Sequence, residues 1–153
     1  MAVSNVDRFL NNDLGELPVR GSLHRSTIPF DDALVLTHGA SGNCNSPLLV
    51  ALGEAFATSG LNVLRCDLPF RQQRPNGPPS PSNAKRDQEG MRRAVVLMKE
   101  QFTGRVFLGG QSYGGRQASM LARPSLNLSV VSCCSHTHST RPKDLPNCGQ
   151  RIS

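Results

Sequence analysis

The sequence predicts an α/β fold, with a mostly parallel sheet held between helices in three layers. The first of three observations is that short apolar runs alternate with helix-patterned segments, in the order strand, helix, strand, helix, strand, helix, strand. The second is that the segments between apolar runs contain helices of about 9 to 18 residues, long enough for the crossovers that parallel strands require. The third is the composition. With 37% hydrophobic and 18% charged residues in 153, the chain can bury one core without disulfides or metals.

Residues 1–30 pattern weakly. Leu17 to Leu23 is a possible short strand, interrupted by Pro18 and Gly21. Ala33 to Thr37 is a short apolar run that ends in His38-Gly39-Ala40-Ser41-Gly42-Asn43, as a buried strand running into a loop would. Ser46 and Pro47 then open a helix in which Leu48, Leu49, Leu52, Ala55 and Phe56 recur at helical spacing. Serine suits the N-cap, proline the first turn, and Gly60 the stop.

Leu61 to Cys66 is the next strand. The proline-rich stretch Asp67 to Ser82 is expected to be a loop, because proline lacks the N–H that regular structure needs. A helix over Ala84 to Gln101 comes after it, with Met91, Ala94, Val95 and Met98 on one face. Arg105 to Leu108 reads as a strand, Gly114 to Ala122 as a helix, and Leu126 to Ser132 as a final strand.

The sharpest local signal is Gly110-Gln111-Ser112-Tyr113-Gly114, a G-x-S-x-G placed between a predicted strand and a predicted helix. A tight strand-to-helix turn forces its central residue into a strained backbone, and the positions two before and two after it must be small. The serine hydroxyl is then held clear at a helix N-terminus, which makes Ser112 the candidate nucleophile of an elbow. A developing oxyanion needs two preorganised donors. The expected pair is the N–H of Tyr113 and the N–H of Ala40 or Ser41 in the loop after the first core strand. His38 reads as structural, since the base of such a site is expected after the nucleophile.

The segments Leu34 to Asn43, Cys66 to Phe70 and Gly109 to Ser119 together resemble the dienelactone-hydrolase-related branch of the α/β-hydrolases. That branch includes testis-expressed protein thirty and subunit three of the NSL histone-acetyltransferase complex. The resemblance covers about residues 30–131 and is strengthened by Gly114-Gly-Arg-Gln-Ala-Ser119. It implies an α/β-hydrolase fold, a serine nucleophile at Ser112, and an Asp and then a His from later loops. It also implies a small ester or lactone substrate and no cofactor or metal. Some relatives act within protein complexes, so a non-catalytic, protein-binding role is the alternative.

The end of the chain departs from that pattern. After Ser112 the only acids and histidines are His136, His138 and Asp144, whereas the fold calls for Asp and then His. The chain is therefore expected to hold the amino-terminal part of the domain over 1–131 and to be inactive or nearly so. Residues 132–153 read as an out-of-frame tail. Permissible codons read in another frame give Leu-Leu-Leu-Ser-Tyr-Pro-Leu-His-Pro-Pro, a more family-like continuation. Cys133, Cys134, His136, His138 and Cys148 imitate zinc-ligand spacing only loosely, and no metal is expected there.

Other classes fit poorly. The net charge of +6 comes from basic residues interleaved with Asp67, Asp87, Glu89 and Glu100, and aromatic residues make up only 5%, so nucleic-acid binding is not expected. No apolar run spans a bilayer, and Met1 to Asn12 lacks the basic and apolar regions of a secretory leader, so a cytoplasmic protein is expected.

Overall fold

The computed structural model describes residues 5–13, 16–122 and 129–133. Its elements, in chain order, are β1 (Val6–Asn11), β2 (Val19–His24), β3 (Ala33–Thr37), α1 (Pro47–Thr58), β4 (Asn62–Cys66), α2 (Pro69–Gln73), a 3₁₀ turn (Pro81–Asn83), α3 (Ala84–Gln101), β5 (Val106–Gln111), α4 (Tyr113–Leu121) and β6 (Ser129–Cys133). The strands form one sheet in the order β1-β2-β4-β3-β5-β6. The pairs β3–β4, β3–β5 and β5–β6 are parallel, whereas β1–β2 and β2–β4 are antiparallel.

The three layers arise from the alternation of side chains along the central strands. Leu34 and Leu36 of β3, with Val63 of β4, face α1 and pack on Leu49. Ala33 and Val35, with Leu64 and Leu108, face the other way and join Met91, Ala94, Val95 and Met98 of α3 and Ala118 and Leu121 of α4. β3 and β4 are buried along their whole lengths, which accounts for their unbroken apolar runs.

Three expectations need correction. β1 has no counterpart among the expected strands: its side chains alternate between exposed and half-buried at the sheet edge, so it lacks a continuous apolar run. The stretch Asp67 to Ser82 is not all loop, since it holds α2 and the start of the 3₁₀ turn. Each begins with proline in its first turn, where a missing N–H costs nothing, and Arg74, in extended backbone, ends α2 just ahead of Pro75. Finally, the buried stripe of α1 is Leu49, Gly53 and Ala57, while Leu48 is exposed.

The expected strand over Leu126 to Ser132 is found as Ser129–Cys133, and its first three residues lie outside the described ones. So do His136, His138, Asp144 and most of the tail assigned to another frame. Among the described residues no helix is long and apolar enough to cross a membrane.

Candidate active site

Parallel strands deliver the ends of β3 and β5 to the same edge of the sheet, with Thr37 in register with Gly110. The loop that leaves β3 and the turn that leaves β5 therefore emerge side by side, at the carboxyl ends of the strands, where open α/β sheets bind ligands. Thr37 Oγ1 donates to the Gly109 carbonyl at 3.1 Å and ties the two strands together at that point.

Ser112 occupies the single residue between β5 and α4, with φ 48° and ψ −110°. Among the described residues it is the only non-glycine with positive φ. Such a backbone stores strain of order 1–3 kcal/mol and persists only where the surroundings dictate it. Here the two flanking glycines dictate it. A Cβ on Gly110 would lie 2.5 Å from Gly114 C and from Thr37 Oγ1, and a Cβ on Gly114 would lie 2.5 Å from Thr37 Oγ1 and 2.6 Å from the His38 carbonyl oxygen. The turn is thus packed against the end of β3 with no room for side chains, and the exposed Ser112 is held at the N-terminus of α4.

The loop after β3 reaches the same place, since a Cβ on Gly39 would lie 3.6 Å from Ser112 Cβ. Its carbonyls are pinned from behind. His38 is fully buried; its Nε2 accepts the Leu68 N–H at 3.0 Å, so the ring proton sits on Nδ1 and is donated to the Gly39 carbonyl at 2.8 Å. Burial pushes this imidazole below its ordinary value and keeps it neutral. With both ring nitrogens engaged by backbone, His38 has no nitrogen left to serve Ser112, in keeping with a structural role.

Arg71 of α2 completes the frame. Its Nε donates to the Gly42 carbonyl at 2.8 Å, its Nη2 to the Ala40 and Gly77 carbonyls at 2.8 and 3.1 Å, and its Nη1 to the Arg74 carbonyl at 3.2 Å. In a trans peptide the N–H points opposite the preceding C=O. Holding the Gly39 and Ala40 carbonyls thus turns the Ala40 and Ser41 amides away from His38 and Arg71. Among the described residues nothing accepts the N–H of Ala40, Ser41 or Tyr113.

Tyr113 is anchored by its far end. Its hydroxyl donates to Asp87 Oδ2 at 2.7 Å, and Asp87 Oδ1 accepts the Phe70 N–H at 3.0 Å. The Phe70 ring packs between His38 and Tyr113, 5.6 Å from each. Burial raises the Asp87 carboxyl above its ordinary value against the pull of these two hydrogen bonds. Burial and the Asp87 bond together raise the Tyr113 phenol.

Sequence reasoning missed Asp87 and Arg71. Asp87 was detectable in principle, because an acid at the head of the α3 stripe that continues through Met91, Ala94 and Met98 has to be partnered. Arg71 gave no such signal, being one of two arginines in a segment read as loop.

The family described as "Alpha/beta hydrolase domain" matches residues 30–143. The chain belongs to this family. Solved structures agree on the fold of this α/β-hydrolase. One is the alpha/beta hydrolase GrgF from Penicillium sp. sh18, at 20% identity and a TM-score of 0.67, over 84% of this chain and 45% of that one. A second is an alpha-beta serine hydrolase homologue from Coxiella burnetii, at 16% identity and 0.62, over 80% and 59%. A third is dienelactone hydrolase from Anabaena variabilis, at 22% identity and 0.59, over 83% and 62%. The α/β-hydrolase chain thus spans about half to three fifths of the length of these structures. No curated protein sequence matches it.

Proposed function

We propose that this α/β-hydrolase chain carries the nucleophile half of a serine-hydrolase site for small esters or lactones, of the dienelactone-hydrolase-related branch. Ser112 is the nucleophile, and the N–H groups of Tyr113 and of Ala40 or Ser41 are the oxyanion donors. The observation that carries this reading is the positive φ of Ser112 at the β5–α4 junction, packed between Gly110 and Gly114 against Thr37. Attack of Ser112 Oγ on the carbonyl carbon moves the carbonyl π electrons onto oxygen, where the amides receive them. The hydroxyl proton passes to a base and then to the leaving alkoxide, and water releases the acyl group by the same steps in reverse. This chemistry uses no metal or organic cofactor.

The order His136, His138, Asp144 after Ser112 favours a second reading, in which the domain binds a protein partner without catalysis. Residues 132–153 as an out-of-frame tail belong to the first reading, in which Asp and His are encoded further along. A fluorophosphonate probe separates the two readings. It should label the 153-residue chain weakly or not at all and label a frame-restored chain at Ser112, with loss of the label in Ser112→Ala. An unlabelled frame-restored chain would establish the non-catalytic reading.

A further inference from the structure

A cavity of about 450 Å³ opens beside the β1–β2 hairpin, walled on its other sides by α2 and the start of α3. Its lining includes three arginines from three elements, Arg8 of β1, Arg20 of β2 and Arg86 of α3, and, among the described residues, no carboxylate. Ser112 and the loop after β3 are not part of it, so its binding chemistry is independent of the hydrolase site.

What sets the cavity apart is the convergence of three arginines on one concavity, since single cations without a carboxylate partner among the described residues, such as Arg74 and Arg116, also occur elsewhere on the surface. Arg25, Arg92, Arg93 and Arg105 each lie against a carboxylate, those of Asp7, Glu89, Asp13 and Asp32. In the cavity only Arg20 has such a neighbour, Asp67 at 3.6 Å, and among the described residues Arg8 and Arg86 have none. Guanidinium groups gathered on one cavity repel one another, and folding alone gives no return for that.

The walls are tied together before any ligand arrives. Gln72 Nε2 donates to the Pro18 and Asp67 carbonyls, each at 3.0 Å, which joins α2 to the start of β2. The Asp67 N–H donates to the Arg20 carbonyl at 2.9 Å. Leu10 and Pro69 supply apolar wall between the charges. A cavity of this volume lies within the size range of small-molecule sites, with a lining more polar than most.

We propose that this cavity binds a small organic polyanion, a molecule bearing two or more phosphate or carboxylate groups on a body that the Leu10 and Pro69 walls can hold. Planar guanidinium forks match both kinds of oxyanion, and ligand charge would remove the mutual repulsion of the arginines. The test is calorimetric titration of the 153-residue chain at physiological salt, with sodium pyrophosphate, ADP and citrate as separate arms.

Saturable one-site binding is expected in at least one arm. Preference for pyrophosphate and ADP would identify phosphate as the ligand group, and preference for citrate would identify carboxylate. Arg8→Gln and Arg86→Gln, both at exposed positions, should each weaken that binding about tenfold, the loss of roughly one oriented ion pair. Arg116→Gln, on the exposed side of α4 and outside the cavity, should leave it unchanged. No saturable heat in any arm at millimolar ligand would overturn the proposal, as would an equal loss in Arg116→Gln, which marks general charge attraction.

Discussion

Arg71 Nη2 donates to the Ala40 carbonyl oxygen at 2.8 Å, and through that bond a buried guanidinium sets the direction of the peptide plane that follows Gly39 and Ala40 in the loop that reaches Ser112. Arg71→Met keeps the stem of the side chain and strands the carbonyls of Ala40, Gly42, Arg74 and Gly77. Ala40 and Gly42 are half-buried while Arg74 and Gly77 are exposed and can turn to water, so a loss of about 1–2 kcal/mol is expected. Denaturant unfolding measures it. Arg71→Lys, with a compact charge that reaches fewer acceptors, should fall between the two. An unchanged midpoint in Arg71→Met would show that the loop holds its shape unaided.

The strained backbone of Ser112 makes a second expectation. Glycine adopts φ 48° without the Cβ penalty, whereas alanine does not. Ser112→Gly should therefore be more stable than Ser112→Ala by about 1–2 kcal/mol, the reverse of the order at an ordinary helix position. Equal midpoints for the two variants in denaturant would mean that the turn carries no strain.

Two buried histidines govern the response to acid. Burial lowers both His24 and His38, with Arg65 adding to the effect at His24, whose Nε2 accepts the Arg65 Nε–H at 2.7 Å. In the unfolded chain both imidazoles take up protons near pH 6.5. Their contribution to stability is therefore complete above that pH and is lost as the pH falls through the lowered folded values. Asp87, raised by burial, acts in the opposite sense, since its contribution is present at low pH and is lost as the pH rises through its folded value. The melting temperature should decline from pH 8 toward pH 5, and less steeply in His24→Gln. A flat profile for the parent chain over that range would contradict neutral, buried imidazoles.

The change in composition after Ser132 leads to an expectation about the gene. The nucleotide sequence from the Gln111 codon onward should contain an alternative frame that encodes strand-and-helix patterning with an Asp and a later His. Absence of any such frame downstream would remove the frameshift reading.

β3, β4, β5 and α3 were legible in the sequence because each buries a continuous run or a regular stripe, and burial is what periodicity records. The turn at Ser112 was legible because steric exclusion of side chains at 110 and 114 leaves glycine as the readable residue. β1 was not, since an edge strand half open to water needs no marked apolar run. Nor were the anchors of the site. The bond from Tyr113 to Asp87 joins residues 26 positions apart, and the bond from Arg71 to Ala40 spans 31. Both depend on how α2 and α3 settle on the sheet, and local sequence does not encode that arrangement.

The contact between Gly110, Gly114 and Thr37 also bears on which sequences this chain can become. Shortening Thr37 to alanine would remove the Oγ1 that meets a Cβ at either glycine, yet Gly114 C and Gly115 N would still block position 110, and the His38 carbonyl would still block position 114. The obstruction is backbone against backbone, so no substitution at a neighbouring position relieves it. In a saturation library selected for folding, position 37 should accept small replacements while 110 and 114 return only glycine, whatever else in the chain has been allowed to vary.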